Sequence, residues 1–326
     1  MHKKKSVKSL IQFIIGILIL VFLLFWANPS KVWVTLKKTD PILIIALFLI
    51  FIFDRLFMAF KWGILLKAEE DNVKLYELIK AYFYSAFVGQ FLPASIGGDI
   101  LRYYKIKPFL KTKSLLLSSI IVEKIFGLLA LISVLVLSAI FLKKGQFQNH
   151  QIYNFLFFAF IIVLICSIIF FLLLKTKLLS NKLNSSNSSI VKKLKKIISN
   201  LENYSNDFNL LILFYALCLF EQVFPITSDF LFARSLDIPV NFIQMAFIIS
   251  LTLFLARLPI APSAIGFQEG ILVGVFLIFG FTKEQGLAFG LGTRILGMIF
   301  TLPPLFFYFP DLLKSIKFSQ QESIKD

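Results

Sequence analysis

The stretch GQFLPASIGGDILRYY, residues 89–104, breaks off a run of apolar residues and restarts it with charged side chains. A stretch in the other half of the chain, RLPIAPSAIGFQEG at residues 257–270, follows the same plan. We refer to them as the first and second broken segments. Hydrophobic segments interrupted by proline and glycine in both halves of a chain are typical of a transport site in a membrane protein. The predicted backbone breaks fall at Pro93, Gly97, Gly98, Pro259, Pro262 and Gly266.

The composition indicates a membrane protein. Of the 326 residues, 58% are hydrophobic and 16% are charged. In a soluble domain about 25% of the residues are charged. The apolar residues come in blocks of roughly 17 to 25, the length of a helix that crosses about 30 Å of hydrocarbon. Because these blocks lack the alternation of a transmembrane barrel, the predicted fold class is an all-α polytopic membrane protein.

The net charge of +16 indicates which loops of this chain are cytoplasmic. Its lysines lie between the apolar blocks, as in the cytoplasmic loops of membrane proteins. We therefore predict membrane lipids, and no nucleic acid, as partners, and we leave the oligomeric state open. The protein is predicted to lie in the cell membrane with both termini cytoplasmic, because lysines are frequent near both termini.

The order of the apolar blocks predicts about eight transmembrane helices, with re-entrant segments at the two breaks. The spans are predicted at residues 10–27, 41–60, 115–142, 152–174, 208–231, 240–258, 269–281 and 284–309. They form one integral membrane domain of two halves, 1–174 and 208–326, joined by a basic cytoplasmic linker at 175–207. This count puts both broken segments on the cytoplasmic side, whereas an inverted two-fold repeat would put them on opposite sides. The sequence leaves an internal repeat open.

Ionisable residues inside these apolar blocks are the candidate functional residues. Each costs roughly 2.5 to 3.5 kcal/mol at the centre of a membrane helix, so such residues face the protein interior or a wet cavity and are paired. For any one of them, the alternative is a pair that only holds the helices together. Taken as a set, they indicate a polar cavity, and they are Asp54, Arg55, Asp99, Glu123, Lys124, Glu221, Arg257, Glu269 and Arg294.

A helix that restarts after a break exposes unpaired N–H groups, which form a ready site for an anion. Arg102 lies three residues after Asp99, on the same helix face, and can hold a phosphate. Glu269 likewise starts the seventh span, and Arg257 lies across the turn. Simple helix capping is the alternative for both acids. We assign a lipid headgroup site to these four residues with Glu123, Lys124 and Arg294, and we treat Asp54, Arg55 and Glu221 as secondary charges.

The sequence contains no catalytic signature. Neither histidine, at positions 2 and 150, lies near a cluster of acids. Zinc-ligand spacing, a Walker loop, a dinucleotide-binding glycine set and a GxSxG elbow are also missing from the sequence. We therefore predict no catalytic residue, no metal and no cofactor.

The ordered motifs resemble the flippase-like membrane domain of lysylphosphatidylglycerol synthases, which also occurs as a stand-alone protein. The matching residues, in order, are Pro93, Gly98-Asp99, Arg102, Glu123-Lys124, Leu258-Pro259, Pro262, Gly266, Glu269 and Arg294. The chain departs from the family pattern with Lys124 in place of arginine, Gly127 in place of a second acid and Ser263 in place of glycine. The soluble aminoacyl-transferase domain is absent from this sequence, so the resemblance does not imply lysyl transfer.

The resemblance implies translocation of lipids between membrane leaflets. The expected substrate is an anionic phospholipid or a lipid-linked precursor. Two alternatives stay open at this point. One is an integral membrane glycosyl or phosphoryl transferase that acts on a lipid carrier, and the other is a non-transporting scaffold for a lipid-modifying enzyme.

Overall fold

The computed structural model describes residues 18–19, 21–67, 73–89, 97–110, 113–142, 207–257 and 265–302, with residues 154, 158, 161, 162, 165, 198–200 and 204. Throughout this part of the chain the secondary structure is helical, which confirms the predicted all-α fold class for these residues. Ten α-helices are named here as α1 Pro29–Leu36, α2 Pro41–Lys67, α3 Leu75–Gly89, α4 Gly97–Ile106, α5 Lys113–Phe141, α6 Phe208–Glu221, α7 Val223–Ser235, α8 Phe242–Ala256, α9 Phe267–Ile278 and α10 Lys283–Phe300.

Three helical stretches are long and apolar enough to cross a membrane, namely α2, α5 and the continuous stretch Asn209–Ser235 formed by α6 and α7. At about 1.5 Å per residue, the 27 residues of α2 extend about 40 Å. The α-helical hydrogen bonding of the stretch α6–α7 is interrupted at Gln222, and Pro225 cannot donate a hydrogen bond to the carbonyl four residues earlier. These stretches correspond to the predicted spans 41–60, 115–142 and 208–231.

The outer surface of the helices suits a bilayer. Large apolar side chains such as Phe25, Ile42 and Phe141 are 76%, 76% and 68% exposed. In water so many exposed apolar side chains would be unfavourable, whereas in lipid they are solvated. The exposed apolar surface and the long helices together describe a multi-pass membrane protein.

Helix α2 runs antiparallel to α6–α7. Lys38, just before α2, pairs with Asp237, just after α7, at 2.9 Å. At the other end of α2, the carbonyl of Leu65 accepts a hydrogen bond of 3.2 Å from Tyr204, which precedes α6. We call these two ends of the bundle the Lys38 end and the Leu65 end.

The first broken segment forms a hairpin at the Leu65 end. The start of α3 at Leu78 and the end of α4 at Ile106 pack in one apolar cluster with Leu65. The glycines at the two arms' inner ends, Gly89 and Gly98, touch, because a Cβ added to Gly89 would lie 3.3 Å from the Cα of Gly98. The outer ends of both arms therefore lie at the same end of the bundle.

The second broken segment lies in a hairpin at the opposite end. Phe247, early in α8, contacts the ring of Phe279, just after α9, with the ring centroids 5.7 Å apart. Both rings pack in the apolar cluster of the Lys38 end, which includes Leu236 and Leu142. The prediction that both broken segments lie on the cytoplasmic side is therefore wrong, because the two hairpins open toward opposite ends.

The wrong assignment came from counting residues 240–258 and 269–281 as two crossing spans. Helix α8 has 15 residues and α9 has 12, and crossing a bilayer needs about 20. They are the two arms of the second hairpin. The predicted spans 10–27 and 284–309 fall partly outside the described residues, and 152–174 and the linker 175–207 fall largely outside them. Pro93, Pro259, Pro262, Ser263 and the last residues of the chain lie outside them entirely.

Candidate functional site

A cavity of about 440 Å³ lies between the two hairpins. Gly89 and Gly98, on either side of the first break, line it. Ile265 and Gln268, at the end of the second break, line it as well. The cavity also receives Arg294 from α10. The predicted hollow between the broken segments is therefore present, although only some of the predicted site residues face it.

Arg102 on α4 is the centre of a buried ion-pair network. Its guanidinium lies 2.7 Å from Asp99 on its own helix and 2.9 Å from Glu123 on α5. The residue is only 5% exposed. The fork of an arginine can bond two carboxylates at once, so Arg102 links the returning arm of the first hairpin to the next long helix.

Aromatic side chains surround this network. The guanidinium carbon of Arg102 lies 4.3 Å from the ring centroid of Tyr82 and 5.0 Å from that of Trp62. Tyr82 also donates a hydrogen bond to Glu123, and the indole N–H of Trp62 donates to Ser119 at 3.1 Å. The two rings stabilise the buried cation by cation–π interaction while each ring's own polar group is satisfied.

Lys124 completes the network from the outside. Its ammonium lies 2.5 Å from Asp99, and its side chain is half exposed. Asp99 therefore lies between two cations, and its carboxylate is occupied by side chains of the same protein. The structure brings Asp99, Arg102, Glu123 and Lys124 together, but none of these four residues lines the cavity.

The second hairpin has a corresponding ion pair, in which the acid and the base have exchanged helices. Here the acid, Glu269, is on the short helix α9 and the base, Arg294, is on the long helix α10. The other carboxylate oxygen of Glu269 accepts a hydrogen bond of 2.8 Å from the N–H of Gly266. Gly266 has a φ of 74°, which a residue without a Cβ adopts readily. Glu269 therefore binds both the backbone of the turn at Gly266 and the side chain of Arg294 on α10.

Two comparisons with known proteins identify relatives of this chain. Residues 13–304 match the family model described as the lysylphosphatidylglycerol synthase TM region. The chain belongs to this family. It is also similar to the UPF0104 membrane protein MJ1595 of Methanocaldococcus jannaschii, with 21% identity over 327 residues that cover 96% of this chain and 97% of that protein. No solved structure matches the chain.

Within this lysylphosphatidylglycerol synthase TM family chain, the motif residues turn out to be long-range partners. Arg102 and Glu123 belong to different motifs and pair across helices, and so do Glu269 and Arg294. At Gly127, where the resemblance expects a second acid, an added Cβ would meet nothing within 4 Å. A Cβ would therefore fit at this position, but the acid is missing.

The secondary charges form two further pairs on α2. Asp54 and Arg55, although adjacent, pair with each other at 2.9 Å. Glu221 pairs with Lys61, a residue that is 1% exposed. Sequence reasoning missed Lys61 because it ended the second span at residue 60, whereas α2 continues to Lys67. A continuous apolar pattern after position 61 was the available signal.

Sequence reasoning also missed Asp229, which lines the cavity from α7. It was an acid inside the predicted span 208–231, so its position in an apolar block was a sufficient signal. Of the predicted cations, Arg257 at the end of α8 makes no ion pair with any residue that the structure describes, and its side chain is exposed. Arg257 does not line the cavity.

Proposed function

We propose that this chain moves an anionic phospholipid or a lipid-linked precursor between membrane leaflets. The headgroup passes through the cavity between the hairpins, and the acyl chains stay in the bilayer. The observation that carries this proposal is the cavity itself, which residues at both breaks line together. In membrane transporters, substrate sites lie where broken helices from two halves of a chain meet near the middle of the bilayer.

The size and the lining of the cavity suit a lipid headgroup. Its volume of about 440 Å³ falls within the range of about 300 to 1,000 Å³ that is usual for small-molecule sites. Its wall combines apolar side chains with a few polar ones, among them Gln268, Thr252 and Arg294. A headgroup that leaves water needs such polar contacts, because an unsatisfied polar group is costly in a membrane.

Positive charge near the second break favours an anionic headgroup. Arg257 immediately precedes the break and has no ion-pair partner among the described residues. An arginine binds phosphate through two parallel hydrogen bonds. We therefore assign Arg257 the first contact with the phosphate, and Arg294 a contact inside the cavity.

The opposite openings of the hairpins support movement between leaflets. One hairpin opens at the Leu65 end and the other at the Lys38 end, and their inner ends line the same cavity. A small displacement of either hairpin would open the cavity toward its own side. This arrangement suits alternating access, in which one half of the chain moves against the other around a central site.

A cavity-filling substitution tests the proposal. Gly297 lines the cavity, and an added Cβ there would meet nothing within 4 Å, so Gly297→Phe places a ring in the cavity without a clash at Cβ. Gly274 on α9 also has open space around its Cβ but is exposed and lines neither of the two cavities described here, so Gly274→Phe is the matched control. We expect Gly297→Phe to abolish exchange of a fluorescent phosphatidylglycerol in proteoliposomes and Gly274→Phe to leave it unchanged.

The same assay separates the alternatives. We expect Arg257→Gln to slow exchange of phosphatidylglycerol more than exchange of phosphatidylcholine, because only the former carries a net negative charge. Exchange that is equally fast in empty liposomes, or in Gly297→Phe, would contradict the proposal. Turnover of a sugar nucleotide by the purified protein would favour the transferase instead. Co-purification of a lipid-modifying enzyme without any exchange would favour the scaffold.

A further inference from the structure

Among the carboxylates that lie within the described helices, away from the helix ends, only Asp229 has no ion pair. Every other such carboxylate in the part of the chain that the structure describes has a cation within ion-pair distance. Asp229 makes no hydrogen bond or ion pair with any described residue. It lies six residues before the end of α7 at Ser235, and therefore about 9 Å along the helix from that end.

Asp229 lies where two cavities meet. A second cavity of about 160 Å³ lies between α2, α7 and α10. Asp229 lines this smaller cavity and also the larger one between the hairpins, as Thr293 and Gly297 do. Asp229 therefore borders both cavities.

The charged groups that face Asp229 are already engaged with one another. From α2, Asp54 and Arg55 line the smaller cavity as a pair. From α10, Arg294 lines the larger cavity and pairs with Glu269. Helix α8 contributes no ionisable residue to either cavity, and on α6 Glu221 pairs with Lys61.

The nearby hydroxyl groups are arranged to accept a hydrogen bond. Thr293 donates its hydroxyl proton to the carbonyl of Gly290 at 3.0 Å, and Thr252 donates its own to Ile248 at 2.7 Å. Both threonines line the larger cavity with Asp229. Because their own protons are used, the two hydroxyl oxygens can act only as acceptors toward a further partner. A protonated carboxyl group can donate a hydrogen bond to such an acceptor, whereas a carboxylate cannot.

An unpaired carboxylate in a membrane interior is unfavourable unless it is neutralised. We propose that Asp229 binds an exchangeable proton, which reaches it through the two cavities. The proton neutralises the one acid away from the ends of the described helices that has no ion pair, and its release leaves a negative charge at the junction of the cavities. If the chain moves lipids as proposed above, protonation of Asp229 sets the charge that the headgroup meets there.

Infrared difference spectroscopy tests the proton directly, without any transport assay. Spectra of the purified protein in lipid nanodiscs are compared at neutral and alkaline pH, where exposed carboxylates are already ionised. We expect the C=O band of one protonated carboxylic acid per chain, which disappears at alkaline pH and is absent from Asp229→Asn. The control is Asp237→Asn, which alters an exposed acid at the end of the same helix and should leave the band unchanged.

Three outcomes would overturn the proposal: a band that remains in Asp229→Asn, no such band in the wild type, or a band that never titrates. A band lost when sodium replaces choline at constant pH would assign the site to a metal cation instead. If Asp229→Asn does not fold, Asp229→Glu replaces it, and the band is then expected to move in frequency.

A second experiment separates this inference from the proposed function. In proteoliposomes that exchange lipid, an imposed pH gradient should change the exchange rate of the wild type and not that of Asp229→Asn. If the pH gradient does not change the exchange rate of the wild type, the proton does not drive exchange. Proteoliposomes without any exchange would contradict the proposed function, and the infrared result would stand by itself.

Discussion

Removal of the Arg102 side chain should be among the most destabilising single changes in the first hairpin. In the structure its guanidinium lies 2.7 Å from Asp99 and 2.9 Å from Glu123, and it packs on the rings of Tyr82 and Trp62. Arg102→Ala would leave Glu123, which is 5% exposed, with a hydrogen bond from Tyr82 and no cation at ion-pair distance.

The magnitude follows from the burial of the network. Breaking a buried ion pair by removing one partner costs about 3 to 5 kcal/mol, chiefly because a charge is left buried and uncompensated. Each cation–π contact contributes about 0.5 to 2 kcal/mol. Because all of these contacts share one guanidinium, they do not add, and we expect Arg102→Ala to lower the free energy of unfolding by about 4 kcal/mol.

The measurement is reversible unfolding of the purified protein in mixed micelles, followed by tryptophan fluorescence. The control is Lys38→Ala, which breaks an ion pair of similar length, 2.9 Å, whose side chains are 47% and 71% exposed. Exposed pairs contribute about 0 to 1 kcal/mol, so the control should be nearly neutral. An Arg102→Ala protein as stable as the Lys38→Ala protein would refute the structural role of the network.

Two further predictions concern helix packing and the pair on α2. Gly286→Ala should lower the free energy of unfolding by about 1 to 3 kcal/mol, because the new Cβ lies 3.0 Å from the backbone of Val273. The control is Gly127→Ala. Because a Cβ at Gly127 meets nothing within 4 Å, this variant should be neutral or slightly stabilising in the same unfolding measurement. Lys61→Met should cost about 3 to 5 kcal/mol by leaving Glu221 without its ion-pair partner, and adding Glu221→Leu should recover part of this loss. A double variant that is less stable than the single one would contradict the second prediction.

The charged residues of the two ion-pair networks could be identified from the sequence because charged residues are rare in apolar blocks. Asp99, Arg102, Glu123, Glu269 and Arg294 stood out for this reason, and all five make buried or partly buried ion pairs. The partner of each residue could not be predicted. Spacing along one helix gives only neighbours three or four residues away, and the pairs between α4 and α5 and between α9 and α10 join separate helices.

The side from which each hairpin enters could not be predicted either. Helix α8 is as apolar as a crossing helix, and the Arg257 that follows its 15 residues is equally typical of the end of a crossing span. Hydropathy measures how readily a segment enters lipid, and it does not distinguish a helix that crosses from one that turns back. The prediction therefore counted each arm of the second hairpin as a crossing span, and it placed that hairpin at the wrong end of the bundle.

The sequence by itself determined that this is a helical membrane protein of the lysylphosphatidylglycerol synthase TM family with two broken segments, because helix length, hydropathy and ordered motifs are local properties of the chain. Only the tertiary structure decided that the two hairpins open toward opposite ends, that Arg102 and Glu269 are used in ion pairs, and that Asp229 has no ion-pair partner among the described residues. These features depend on which helices become neighbours. That choice is made by the packing of side chains that are far apart in the sequence, such as Phe247 on Phe279 and Gly89 on Gly98.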